Sequence, residues 1–303
     1  MLRSLGKAVA LIAVLVSGTA ATQERVPARE LFDAVRTPAP LASFPIGRYA
    51  AGCLAGAVQL PFDGPNWQVM RLERDRAWGH PAMIAYIARL ASGAAQREGW
   101  PGLLVGDISQ PRGGPTIGGH VSHQTGLDVD LWYLPMPDHR MTQTERRELS
   151  ATSLLRPGTL EVDPSRWPAG LEGLLRAAAS DPEVARIFVH PGVKQRLCAT
   201  AGADRDWLRV IRPWYGHDDH FHVRLHCPPG ATECVPQEEP PEGDGCGEEL
   251  AWWLGPEPYR PADPPQPPAP PLTLADLPQA CTIVLEAGGA PDVDPPLPRP
   301  RPR

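Results

Sequence analysis

Residues 214–227 read WYGHDDHFHVRLHC and place His217, His220 and His222, three of the chain's nine histidines, within six residues. In HFHVRL (220–225) the apolar residues Phe221, Val223 and Leu225 alternate with polar ones, the period of a half-buried strand. Side chains alternate faces along a strand, so His220 and His222 lie on the same face. An H-x-H pair occurs by chance on many strands, and alone it decides little. Residues 118–135, GGHVSHQTGLDVDLWYLP, supply the counterpart. Here His123 and Asp130 stand in the spacing H-x6-D, with His123 in a polar loop and Asp130 on the alternating strand LDVDLWYL. Asp128 and Asp130 point the same way on that strand. If the two strands are neighbours, they present His123, Asp130 and His222 to one point.

Two imidazoles and one carboxylate suit Zn²⁺, with ligand bonds of about 2.0–2.2 Å and a fourth position open to water. An open position separates a catalytic site from a structural one, and a zinc-activated water suits amide hydrolysis. His220, beside His222 and on its face, is placed to move a proton. With His120 and His217 close by in sequence, the combination is hard to explain as solvated surface.

The rest of the chain sets bounds. Its 303 residues carry a formal charge of -6, which lacks the basic footprint of a general nucleic-acid binder. The opening MLRSLGKAVALIAVLVSGTAATQERV has the plan of a secretory signal: Arg3 and Lys7, an apolar core at Ala8–Val16, then small residues at Gly18–Ala21. A leader over 1–21 is expected to be removed, leaving a periplasmic chain with no membrane span. Six cysteines (Cys53, Cys198, Cys227, Cys234, Cys246 and Cys281) behind an export signal suggest three disulfides, with fifteen pairings open. Cys227 and Cys234 flank PPGATE, a loop that a local bridge could close.

Helical spacing marks GHPAMIAYIARLASGAAQREG, LEGLLRAAASD and GVKQRLCATAG; GLLVGDIS and RIFVH read as strands. Without a repeating βαβ period the mixture favours an α+β fold. The expected fold is a small, mainly antiparallel sheet carrying the zinc site, flanked by helices and loops and stapled by disulfides. Residues 22–48 show little pattern and read as a loose lead-in to a domain over 22–250. Residues 251–303 read as a proline-rich tail, through PADPPQPPAPP and PPLPRPRPR, with one short helix near Cys281 that can be tied back.

The pair H-x6-D and H-x-H resembles the group of lysostaphin-type enzymes, D-alanyl-D-alanine metallopeptidases and hedgehog domains. More narrowly, VMRLERDRAWGHP, GGHVSHQTGLDVDL, RIFVHPGVKQRLC, AGADRDWLRVIRPWYGHDDHFHVRLHC and GDGCGEEL resemble the penicillin-insensitive murein endopeptidases, over roughly Gly47 to Leu250. The resemblance implies zinc ligands at His123, Asp130 and His222, and catalytic histidines at His217 and His220, with His220 as base. It implies an additional metal position at His120 and the pairs Cys53–Cys281, Cys198–Cys246 and Cys227–Cys234. It also implies hydrolysis of the D-alanyl–meso-diaminopimelyl crosslink of peptidoglycan, insensitive to penicillin.

Two departures qualify the likeness. Family members can offer an Asp and a His after the first motif as a second metal site, but no histidine lies between Met141 and Val189. One firmly held zinc is therefore expected. Asp219, three residues before His222, competes with His220 as base, because a glutamate holds that offset in the carboxypeptidase branch; its shorter side chain counts against it. Two alternatives keep the metal site: a D,D-carboxypeptidase, which would release terminal D-alanine from uncrosslinked peptide, and a non-catalytic zinc- or wall-binding module.

Overall fold

A computed structural model describes residues 26–118, 120–261, 263–265 and 267–288. The leader expected at 1–21 and the final PPLPRPRPR lie outside the described residues. Helix α1 (Ala28–Asp33) precedes a hairpin of β1 (Phe44–Arg48) and β2 (Ala51–Ala55), and β3 (Val58–Gln59) pairs with β5 (Trp78–Gly79). The main sheet draws on β4 (Trp67–Val69), β6 (Leu103–Val105), β7 (Asp128–Pro135), β8 (Val184–Val189), β9 (Ile211–Pro213) and β10 (His220–Leu225). Its order is β4-β6-β7-β10-β8-β9, antiparallel through the centre and parallel at the two outer pairs. The remaining helices are α2 (Pro81–Arg97), α3 (Gln143–Glu148), α4 (Leu171–Ala179), α5 (Pro191–Thr200), α6 (Glu248–Leu254) and α7 (Gln279–Glu286). The architecture is the expected α+β.

Alternation in the two central strands creates the site. Val129 and Leu131 of β7, with Phe221, Val223 and Leu225 of β10, are buried in the main core against Met83, Tyr86, Ile87 and Leu90 of α2. Each such side chain contributes about 1.5–3 kcal/mol on burial, which fixes the strands' facing. The intervening polar residues are thereby turned to the opposite face. Helix α2 starts where Pro81 occupies the first turn and His80 Nδ1 accepts the Ala82 N–H at 3.2 Å.

From residue 26 on, the lead-in expected over 22–48 is not loose. It contributes α1 and β1 to a second core, in which Ala28, Phe32, Ile46 and Cys53 pack with Leu277, Cys281, Val284 and Leu285. These segments are too short for a clear period, and their apolar partners lie more than two hundred residues away. The boundary expected at 250/251 falls within α6, and 272–287 packs on the body. All three disulfides join the pairs that the resemblance implied.

Candidate metal centre

Register brings the two motifs together. Across the β7–β10 pair His222 lies opposite Asp130, Arg224 opposite Asp128 and His220 opposite Trp132. His123 arrives from the loop before β7 with a left-handed backbone, φ 66°. A non-glycine residue in that region is strained and persists only when its surroundings hold it. Three contacts hold it: its N–H donates to Asp128 Oδ2 at 3.1 Å, its carbonyl accepts from Ser109 Oγ, and its Nδ1 meets the Ile108 carbonyl at 2.7 Å. With Nδ1–H donated to a carbonyl, Nε2 carries the lone pair.

That Nε2 is 3.3 Å from Asp130 Oδ1, and His222 Nδ1 is 3.1 Å from the same oxygen. His123 Nε2 and Asp130 Oδ1 are both buried without an aligned hydrogen-bond partner. Buried polar atoms left this way are unfavourable unless something charged joins them. A tetrahedral ion with bonds of about 2.1 Å holds its ligand atoms about 3.4 Å apart. The donor types and the two spacings from Asp130 Oδ1 fit such an ion. Burial alone lowers the His123 pKa, but the Asp130 carboxylate overrides it and raises it to about 9. The field that would hold a proton on this imidazole is the field that would hold a cation.

His120 reaches the same carboxylate from the outer side, with Nδ1 3.6 Å from Asp130 Oδ2 and Nε2 3.2 Å from Asp107 Oδ2. His120, His123 and Asp130 offer ligand atoms that all lie within 4.8 Å of one another. Asp107 is in turn held by Arg74 at 3.2 Å and Arg76 at 3.4 Å.

His220 Nδ1 is 2.6 Å from Asp219 Oδ1, and its Nε2 is 3.7 Å from Asp130 Oδ1. Burial opposes its charge, but Asp130 and the Asp219 hydrogen bond outweigh that and raise its pKa. His217 also has a left-handed backbone, φ 58°, and its Nδ1 meets the Tyr215 carbonyl at 2.7 Å. Burial, then the neighbouring His222 and His220, pushes its pKa down to about 3, so its imidazole is neutral. Its ring centroid lies 5.0 Å from that of His220 and 5.8 Å from that of His222.

All six residues singled out in the sequence, His120, His123, Asp130, His217, His220 and His222, converge on this face. Beside it opens a cleft of about 860 Å³ that His217 and His222 line, with Phe188, Trp214 and Trp253 as its apolar wall. A family model described as "Penicillin-insensitive murein endopeptidase" matches residues 45–286. The chain belongs to the penicillin-insensitive murein endopeptidase family. It is 44% identical over 249 residues to penicillin-insensitive murein endopeptidases of Salmonella paratyphi A, Salmonella typhi and Salmonella arizonae. The match covers 82% of this chain and 88% of each relative.

In this murein endopeptidase family member, two carboxylates go beyond the sequence reading. Asp128 is fully buried and takes three donors: His222 Nε2 at 2.8 Å, Arg224 Nε at 2.7 Å and the His123 N–H. Burial would raise its pKa, but Arg224 and His222 hold it below the usual carboxylate range. It orients the His222 ring, leaving Nδ1 free to face Asp130, and holds the backbone from which the His123 ring projects. The D-x-D alternation was the available signal, because Asp128 had to share Asp130's face. Asp107 sits just past β6 and had no such signal, since its partner His120 comes later in the same irregular β6–β7 connection, where no period relates the two.

Proposed function

We propose that the chain is a zinc-dependent endopeptidase that hydrolyses the D-alanyl–meso-diaminopimelyl crosslink of peptidoglycan in the periplasm. One observation carries the reading: buried His123 Nε2 and Asp130 Oδ1, with His222 Nδ1 beside them, meet at the spacing of ligands around a small cation. These three residues would hold one zinc firmly, and His120, on the same carboxylate, offers an additional ligand position. When bound, zinc supplies Lewis acidity and water activation to amide hydrolysis.

The remaining residues handle protons. His220 takes up and returns a proton at Nε2, with Asp219 holding Nδ1–H and fixing the ring. His217 lines the cleft as a neutral imidazole whose Nδ1–H is engaged by the Tyr215 carbonyl, so its Nε2 lone pair is left to accept a proton or a hydrogen bond. No step needs a serine nucleophile, which accounts for penicillin insensitivity. Three disulfides suit an oxidising compartment, and no described helix is long and apolar enough to cross a membrane.

The test incubates purified protein with crosslinked muropeptide dimers, with and without a chelator, and identifies the products. Monomers formed only without chelator are expected. Release of D-alanine from monomers, with dimers left intact, would instead make the chain a D,D-carboxypeptidase. Intact dimers and monomers under both conditions would leave the non-catalytic module.

A further inference from the structure

The sheet face that begins with carboxylates and imidazoles continues as arginine. Along β10, Arg224 follows His222 on the same face, about 7 Å away at 3.4 Å per residue. Across the strand pairs, Arg224 stands opposite Arg186 of β8, and Phe188 of β8 stands beside Arg212 of β9. Three guanidinium groups thus line the cleft next to His222. Like charges directly opposite on adjacent strands are destabilising unless something compensates them.

Compensation is uneven. Arg224 donates Nε to buried Asp128 and Nη1 to Gln237 Oε1, and its guanidinium lies 4.2 Å from the Tyr49 ring centroid. Arg212 pairs with Glu249. Arg186 is different. Among the described residues no carboxylate lies within 4.0 Å of it, and its side chain donates only to the Glu238 carbonyl, at 2.7 Å. Burial, then Arg224, pushes its pKa down, only partly offset by Glu239 and Glu238, which lie beyond ion-pair distance. Of the other carboxylates that line the cleft, Glu242 and Glu248 are exposed and pair with none of these arginines, and Asp244 pairs with Arg205.

We infer that Arg186 is a specificity-determining residue that binds a free carboxylate of the substrate, in a cationic subsite bordered by Arg224 and Arg212. The inference rests on the endopeptidase reading and names which part of the crosslink the cleft selects. In the proposed substrate the scissile nitrogen is attached to a carbon that also bears a free carboxylate. With the scissile carbonyl at the His123–Asp130–His222 centre, that carboxylate lies on the leaving-group side, within reach of a guanidinium two residues along the face. A guanidinium matches a carboxylate with two parallel N–H donors, a geometry that ammonium or a neutral amide cannot reproduce.

The test uses two crosslinked dimers that differ only in this group, one with the free carboxylate and one with the carboxamide. The intact protein should favour the free acid by about 10–100-fold in kcat/KM, the worth of a charge-assisted hydrogen-bonded pair. Arg186→Gln should remove most of that preference by raising KM for the acid, with metal content unchanged. Arg186→Lys should restore part of it. A merely structural Arg186 would slow both dimers alike and keep the ratio, which would overturn the inference. Equal cleavage of both dimers by the unsubstituted protein would overturn the subsite and leave the endopeptidase standing. Cleavage of neither would remove the endopeptidase reading and the subsite with it.

Discussion

His222 and Asp130 face each other across the β10–β7 pair, with Nδ1 and Oδ1 3.1 Å apart at a point where the register sets the residues side by side. Strand pairing, rather than loop conformation, therefore holds two of the three proposed ligands. Replacing His123, Asp130 or His222 by alanine should empty the metal site and bring activity to background, because a three-ligand site can spare none. Metal analysis alongside dimer cleavage checks this. A variant that kept both would remove that residue from the ligand set.

Asp128 touches no proposed metal position, yet it fixes both flanking histidines. Hydrogen-bond partners behind metal ligands typically account for about 10–100-fold in metal affinity or activity. Asp128→Asn should weaken metal binding by that amount while the protein stays folded. Competition with a chelator of known affinity measures it, and an unchanged affinity would show that His222 and His123 orient themselves.

His220 and Asp219 make one hydrogen-bonded pair, which assigns them different tasks. His220→Ala should be metal-loaded and slower by about 10²–10⁴-fold, the usual loss for a general base. Asp219→Asn should lose less, since the imidazole remains. Turnover of the two metal-loaded variants decides the matter, and a larger loss in Asp219→Asn would give Asp219 the base role.

Lys194 of α5 is fully buried, and its Nζ donates to the carbonyls of Leu208 at 2.7 Å and Asp244 at 2.6 Å. Burial, then Arg212, pushes its pKa down to about 7. Between about pH 7 and the ordinary lysine value of about 10.4, the unfolded chain binds a proton here that the folded chain does not. Stability from this group therefore rises with pH through that window. The melting temperature of the unsubstituted protein minus that of Lys194→Met should climb from pH 7 to 9.5. A flat or falling difference would show that the amine stays charged when folded.

The C-terminal segment does more than close a bridge. Cys281 joins Cys53 over a separation of 228 residues, worth about 4–5 kcal/mol at most in the chain-entropy account. Arg112, in the loop that leads to His123, also donates to the carbonyls of Val284 and Leu285 at 2.8 and 2.6 Å. Truncation after Pro271 should therefore lower the melting temperature more than the double variant Cys53→Ala/Cys281→Ala. Both proteins should retain metal at 25 °C, as every proposed ligand remains. Equal melting temperatures would mean that the bridge alone accounts for the segment.

The alternations in HFHVRL and LDVDLWYL, and the helical spacing in PAMIAYIARL, were enough to determine the core strands, helix α2 and the polar face that carries the histidines. Those features are local: a period of two or of 3.6 shows itself within a few residues, and burial of the apolar set settles which way each side chain turns. Only the tertiary structure decided what depends on distant partners. The register that sets His222 against Asp130, the three donors gathered by Asp128 and the alignment of Arg186 with Arg224 all follow from strand neighbours far apart in the chain. The second core is the plainest case, because α1 and β1 bury their apolar side chains against α7. No short stretch carries enough apolar surface to announce that contact; the energy that holds it arises when segments more than two hundred residues apart meet.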